Sequence, residues 1–201
     1  MSWKVIYERV AGWNAARYDR EFNVELLVKL LEEELKETTD AKTEVDILDG
    51  RCDQCYVALG GIWKLGIDDE LMSEAAGFAA VAIEKAVLSG LTEFNASIGL
   101  NIQALTSKHL PDSAMQKAVI LFSIVYLNHV AMEYSGLDAC HVFEAMNIVC
   151  DSNDSKTVQK VAPDVKANID KGAGFVRPEP ALTELLFKVK SQGVQDGSAI
   201  H

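Results

Sequence analysis

The stretch "LLEEELKE" at residues 30–37 runs two leucines into three glutamates, and a fourth glutamate follows three residues later. A helix advances by about 100° per residue, so its apolar stripe would consist of Leu27, Leu30, Leu31 and Leu35. Glu34 falls inside this stripe, whereas Glu37 lies on its shoulder and Glu32 points away. The pattern predicts a helix over 24–40 that presents at least one carboxylate to the packing interface.

Glutamates on a helix are commonly a solvated face, or they pair with Lys or Arg from a neighbouring helix. The position of Glu34 favours a third interpretation, because an unpaired charge inside a packing interface is costly. A positive group, either a side chain or a cation, is expected to meet it there.

The following segment, "EVDILDGRCDQCYVALGGIWKLG" at 44–66, supplies more carboxylates. Asp46, Asp49 and Asp53 lie at helical spacings that share one face. Two adjacent antiparallel helices would point Glu34 and Glu37 at Asp49 and Asp53. Converging carboxylate oxygens are typical of Mg²⁺ or Mn²⁺ sites, so the two helices together predict a divalent metal site.

The rest of the chain is dominated by helical periodicity without strand alternation, which predicts an all-α fold. The 201 residues favour a single domain. We expect helices at 3–18, 24–40, 42–65, 69–89, 95–108, 113–135, 138–151 and 181–190. Residues 1–67 and 136–182 would form the core, residues 68–135 a helical insertion, and residues 191–201 a flexible tail.

Composition excludes several classes of partner. The net charge of −11 argues against binding to nucleic acid or to an anionic membrane. The most apolar run, residues 118–132, is shorter than a membrane span and contains Asn128 and His129, so a buried helix is expected. With no N-terminal signal pattern and only four cysteines, a cytoplasmic location is expected. The C-x-x-C pair at 52–55 lies on an apolar helix face, which favours buried thiols.

Three motifs together resemble the all-α nucleoside triphosphate pyrophosphohydrolases, the MazG-like and phosphoribosyl-ATP pyrophosphohydrolase-like proteins, and especially their phage-type members. The family's Glu-Glu-x-x-Glu motif is matched by Glu33, Glu34 and Glu37. Its second motif is Glu-x-x-Asp or, in related branches, Asp-x-x-x-Asp, and it continues into Tyr and Gly. Asp49, Asp53, Tyr56 and Gly60 match the latter form. Gly50 stands where many members carry a glutamate. The C-terminal motif is matched by Asn153, Ser155, Lys156 and Lys171.

The resemblance implies a helical homodimer or homotetramer that cleaves a nucleoside triphosphate into monophosphate and pyrophosphate with Mg²⁺, or Mn²⁺ in its place. It implies metal ligation by Glu34, Glu37, Asp53 and Asp49, with Asp46 as the substitute for Asp49. Glu33 would orient or deprotonate the attacking water. If the protein is phage-encoded, its location would be the host cytoplasm.

The remaining candidates concern the two ends of a nucleotide. Asn153, Lys156 and Lys171 would bind phosphate, although surface lysines and a helix C-terminal asparagine have the same sequence pattern. Trp13 and Asn14 are candidates for contacting a base by stacking and edge recognition, and Gly60 for a close approach of the base. Asn23 is expected to be a helix N-cap.

Two other functions remain open at this point. One is a dUTP or dCTP diphosphatase of the same superfamily. The other is a non-catalytic helical oligomer that binds a nucleotide or a protein, which the substitution at Gly50 keeps open.

Overall fold

The computed structural model describes residues 2–108, 113–160 and 171–196. Those residues form helices and no strand, which confirms the all-α prediction. The helices are α1 (Trp3–Arg17), α2 (Val24–Asp40), α3 (Glu44–Leu65), α4 (Asp69–Leu88), α5 (Phe94–Ala104), α6 (Ala114–Tyr134), α7 (Ala139–Asp154) and α8 (Glu179–Asp196).

Side-chain caps explain where the helices next to the carboxylates begin and end. Asn23 accepts a hydrogen bond from the backbone N–H of Leu26 and so caps α2, as predicted. Thr43 accepts from the N–H of Asp46, which starts α3 at residue 44 rather than 42. α3 ends where Gly66 takes a left-handed conformation with φ of 68°, which glycine adopts without a steric cost.

Helix α3 lies at the centre of the fold. It packs against α2 on one side and α6 on another, and it also contacts α1, α7 and α8. Its residues are buried along most of its length, including Cys52 and Cys55, whose thiols were expected to be buried. The face that carries Asp49 and Asp53 therefore points towards neighbouring helices, which can contribute further groups.

Residues 68–135, predicted as an insertion, supply α4, α5 and α6. Helix α6 packs against α3, α4 and α5, and its buried side chains belong to the same hydrophobic cluster as those of α1, α2 and α3. Among the described helices, α6 alone is long and apolar enough to span a membrane, but 56% of its most apolar 18-residue window is buried inside the protein. More than half of that window therefore packs against other parts of the protein.

Several helix limits differ from the predicted ones. Helix α5 ends at Ala104 rather than 108, and α7 continues to Asp154 rather than 151. Helix α8 begins at Glu179 and extends to Asp196 rather than stopping at 190, so it continues into the segment that we expected to be a flexible tail. Its buried side chains, Leu182 and Leu185, lie within the predicted range, and residues 191 and 192 of the extension are exposed.

Two glycines of α3 bring α2 close. A Cβ atom on Gly61 would lie 2.8 Å from Cδ2 of Leu27, and one on Gly50 would lie 3.2 Å from Cα of Thr38. A side chain at Gly50 would meet the backbone of Thr38 and push the two helices apart, whereas one at Gly61 would displace the end of the Leu27 side chain. The close approach sets the distance between the carboxylates of α2 and those of α3.

Candidate active site

A cavity of about 330 Å³ lies along α3, between this helix and residues of α1, α2 and the end of α7. It brings together most of the residues predicted to contact a nucleotide: Trp13, Asn14, Glu34, Asp53, Gly60, Asn153, Lys156 and Lys171. Residues from 53 to 64 of α3 line it, which corresponds to roughly 16 Å of helix. The cavity is therefore long enough to have two chemically different ends.

The charged end is built around Asp53 and Glu34. Burial raises the pKa of Asp53 well above its usual value, and the negative charges of Asp49 and Glu34 raise it further. Burial, followed by the charges of Glu179 and Asp46, raises the pKa of Asp49 to about 6. These carboxylates therefore repel one another across the α2–α3 contact, and a cation would relieve that repulsion.

A smaller cavity of about 170 Å³ adjoins the charged end and shares Asp53, Asn153, Lys156 and Lys171 with the larger one. Asp49 and Glu179 also line it. Each has one buried carboxylate oxygen, Oδ1 of Asp49 and Oε2 of Glu179, without a hydrogen-bond partner in the described part of the chain. Buried polar atoms are rarely left unpaired, so both oxygens lack a donor or a cation.

Glu179 is a residue that the sequence interpretation missed. The charge of Glu179 raises the pKa of Asp49 more than the charge of Asp46 does. In the sequence Glu179 stands between two prolines in "RPEP", a composition typical of a helix start. Nothing in this local pattern indicates that the α8 N-terminus lies beside α3, some 130 residues earlier.

The other predicted metal ligands lie further out. Glu37 and Asp46 are exposed, whereas Glu33, which was predicted to act on the attacking water, is half-buried like Glu34. The charge of Glu37 still contributes to the raised pKa values of Asp49 and Asp53. Within residues 2–108, 113–160 and 171–196, no three Asp, Glu, His or Cys side chains are close enough to form a metal-binding group. The metal site therefore remains a prediction.

Lys156 is held in place at the charged end. Its Nζ donates to Oδ1 of Asn153 at 2.7 Å, and its backbone oxygen accepts a hydrogen bond from the guanidinium of Arg17 at 2.9 Å. Burial lowers the pKa of Lys156, and the nearby charge of Asp53 opposes that shift. Lys171 is exposed, with Nζ 4.9 Å from the ring centre of Phe175. Two lysines therefore line the same cavities as the carboxylates.

The residues predicted to contact a base also connect helices. Trp13 donates through Nε1 to the backbone oxygen of Asn153 at 2.8 Å, and its ring meets that of Tyr56 edge to face. Asn14 is buried, and a Cβ on Gly60 would lie 3.2 Å from its Nδ2. Gly60 thus allows α1 to pack closely on α3, which explains this glycine without a base. Trp13 and Asn14 nonetheless line the cavity.

Lys64 and Tyr18 form a second feature that the sequence interpretation missed. Both line the larger cavity, and Nζ of Lys64 lies 4.6 Å from the centre of the Tyr18 ring. The sequence spacing could have indicated Lys64 as a cavity residue, because residues 53, 56, 60 and 64 lie on one face of the helix. Tyr18 and Phe22 make the end of the cavity away from Asp53 aromatic, and Lys64 adds a positive charge there.

A buried polar network lies behind the site and anchors α2. The hydroxyl of Thr38 donates to the backbone oxygen of Glu34 at 2.8 Å and accepts from Nε2 of Gln54 at 2.7 Å. Asn128 of α6 donates to Oε1 of Gln54 at 3.3 Å, and Arg51 donates to Asn128 at 3.1 Å. The backbone at Glu34 is therefore linked through α3 to α6.

A comparison of the chain with protein-family models, with curated proteins and with solved structures gives no match in any of the three. The assignment of chemistry to this cavity rests on its residues and on the motif resemblance.

Proposed function

We propose that the protein is a Mg²⁺-dependent nucleoside triphosphate pyrophosphohydrolase, which converts a (deoxy)nucleoside triphosphate into the monophosphate and pyrophosphate. One observation carries the proposal: a single cavity has the carboxylates of Glu34 and Asp53 with Lys156 and Lys171 at one end, and aromatic side chains with Lys64 at the other. A nucleotide has the matching polarity, with a metal-binding phosphate tail and a flat base. The volume of about 330 Å³ lies within the range of small-ligand sites.

The donor set fits a hard divalent cation. Carboxylate oxygens from Glu34, Asp49 and Asp53 are the ligands that Mg²⁺ prefers, and the unpartnered Oδ1 of Asp49 is an oxygen in need of a positive partner. Glu37 would join them, with Asp46 as the substitute for Asp49. When bound, the cation would neutralise phosphate oxygens.

The chain's own groups would perform the rest of the chemistry. Anhydride hydrolysis requires charge neutralisation and an in-line water rather than a covalent intermediate. Lys156, held by Asn153, and Lys171 would stabilise the departing pyrophosphate. Glu33 would accept the proton of the attacking water, a role that rests on the motif resemblance. Tyr18 and Phe22 would enclose the base, and Trp13, which contacts both Tyr18 and Asn153, would lie between that end and the lysines.

The test is a panel of the nucleoside triphosphates and deoxynucleoside triphosphates with Mg²⁺, with products separated by ion chromatography. Pyrophosphate and monophosphate are expected in equal amounts. Glu34→Gln should abolish turnover and leave the fold intact or stabilised, because it relieves repulsion with Asp53. Glu32→Gln is the matched control, since Glu32 is exposed on the same helix, and it should keep normal activity. Full activity of Glu34→Gln would contradict the proposal.

A non-catalytic nucleotide-binding protein is the second candidate, and Gly50 favours it. Many members of the family carry a glutamate at this position, but here a side chain would collide with Thr38. Nucleotide binding without turnover in the same panel would support this candidate. Orthophosphate release from dUDP or dCDP would instead indicate a diphosphatase of the same superfamily.

The proposed enzyme would act in the cytoplasm, as a homodimer or homotetramer. Multi-angle light scattering after size exclusion would test the oligomeric state directly, and a strictly monomeric protein would contradict that part of the proposal.

A further inference from the structure

A second cavity lies apart from the candidate active site and has a different chemistry. It has a volume of about 280 Å³ and lies between α3, the junction of α6 and α7, and α8. Its walls are mainly apolar and are contributed by Ile47, Leu48, Met132, Leu137, Leu186 and Val189. It shares no lining residue with the cavity around Asp53.

Arg51 brings a positive charge to this apolar cavity. Its guanidinium donates to the side-chain oxygens of Asn128 at 3.1 Å and Asn95 at 3.2 Å. Both partners are neutral amides, and its Nε is buried without a hydrogen-bond partner among the described residues. A desolvated arginine is normally paired with an acid.

The carboxylate of Glu44 at the edge of the same cavity is not the acidic partner of Arg51. Glu44 also lines the cavity, but it forms an ion pair with Lys190 of α8. The charged side chains that line the cavity are therefore two cations, Arg51 and Lys190, and one anion, Glu44. Among the described residues that line the cavity, the cations therefore exceed the anions by one.

We propose that this cavity binds a small amphipathic carboxylate, whose head pairs with Arg51 and whose apolar body fills the space between α3 and α8. A planar guanidinium has five N–H donors, of which the bonds to Asn128 and Asn95 use two, so it suits a carboxylate well. The volume of about 280 Å³ corresponds to roughly nine water-sized groups, so the ligand has roughly ten non-hydrogen atoms. This inference does not depend on the function proposed for the first cavity.

Octanoate has the required charge and size and serves as the probe. Isothermal titration calorimetry of the full chain should show saturable 1:1 binding with a Kd of about 1 mM or tighter. Inorganic phosphate and 1-octanol, which retain only the charge or only the apolar chain, should bind at least tenfold more weakly. Absence of octanoate binding, or equally tight binding of 1-octanol, would overturn the proposal.

Two variants locate the binding site. Arg51→Met removes the charge but keeps an apolar stem, and it should weaken octanoate binding at least tenfold. Val189→Phe fills the cavity from α8 without touching the Arg51 hydrogen bonds, so it tests the same site if Arg51→Met does not fold. Lys188→Met is the matched control, because Lys188 lies on α8, pairs with Glu144 and leaves the cavity lining unchanged. Octanoate binding by Val189→Phe at the affinity of the unmodified protein would overturn the proposal.

Discussion

Gly50→Ala is the most informative single substitution at the contact between α2 and α3. Glycine in a helix interior is normally less stable than alanine by about 0.5–1 kcal/mol, so the local expectation is stabilisation. The structure reverses that expectation. The new Cβ would lie 3.2 Å from Cα and 3.2 Å from Cβ of Thr38, and closer still to its Oγ1.

Two costs oppose the gain in helix propensity. Overpacking at a rigid helix–helix contact costs about 1–3 kcal/mol. Displacing the Thr38 hydroxyl also breaks its 2.7 Å hydrogen bond from Gln54, a side chain with 0% exposure, and an unpaired buried amide costs about 1–3 kcal/mol. The net loss is about 3 kcal/mol. For a chain of this length that loss lowers Tm by about 6–12 °C.

Urea denaturation followed by far-UV circular dichroism measures this loss, with Gly77→Ala as the matched control. Gly77 lies inside α4, and a Cβ there would meet no atom within 4 Å. The control should gain about 0.5–1 kcal/mol. If Gly50→Ala were stabilised as much as Gly77→Ala, the close α2–α3 approach and the geometry derived from it would be refuted.

Two further predictions concern charge. The pKa of Asp49 is raised to about 6, above its unfolded value of about 3.9, so the folded state holds more protons and stability should fall as pH rises from about 4 to 6. In EDTA, Asp49→Asn should therefore raise the free energy of unfolding at pH 7.5 by about 1–3 kcal/mol. It should also flatten the dependence of stability on pH, and an unchanged pH profile would contradict the raised pKa of Asp49. Arg9→Met removes 2.6 Å contacts to Asp151 and Asp154 of α7 and should cost about 1–2 kcal/mol in urea denaturation. Lys4→Met, which loses only an exposed 3.6 Å pair, should cost about 0–0.5 kcal/mol; equal losses would show that Arg9 does not connect α1 to α7.

Local patterns determined the helical framework. Helix α2 extends over 24–40 as its periodicity predicts, and Asn23 caps it. Glu34 is half-buried and lines the cavity, as its position in the leucine stripe predicts. These properties depend on neighbours three or four residues apart, whose relative directions follow from helix geometry alone.

Other features depend on which helices meet and in what register. Glu179 lies near Asp49 because α8 packs on α3. Among the described residues, the groups of α5 and α6 that bond Arg51 are amides rather than acids. Gly60 accommodates Asn14 of another helix. Sequence determined where each helix runs and which face is apolar, since those are short-range properties. Only the tertiary structure decided which charges are left unpaired, because that depends on side chains brought together from distant parts of the chain.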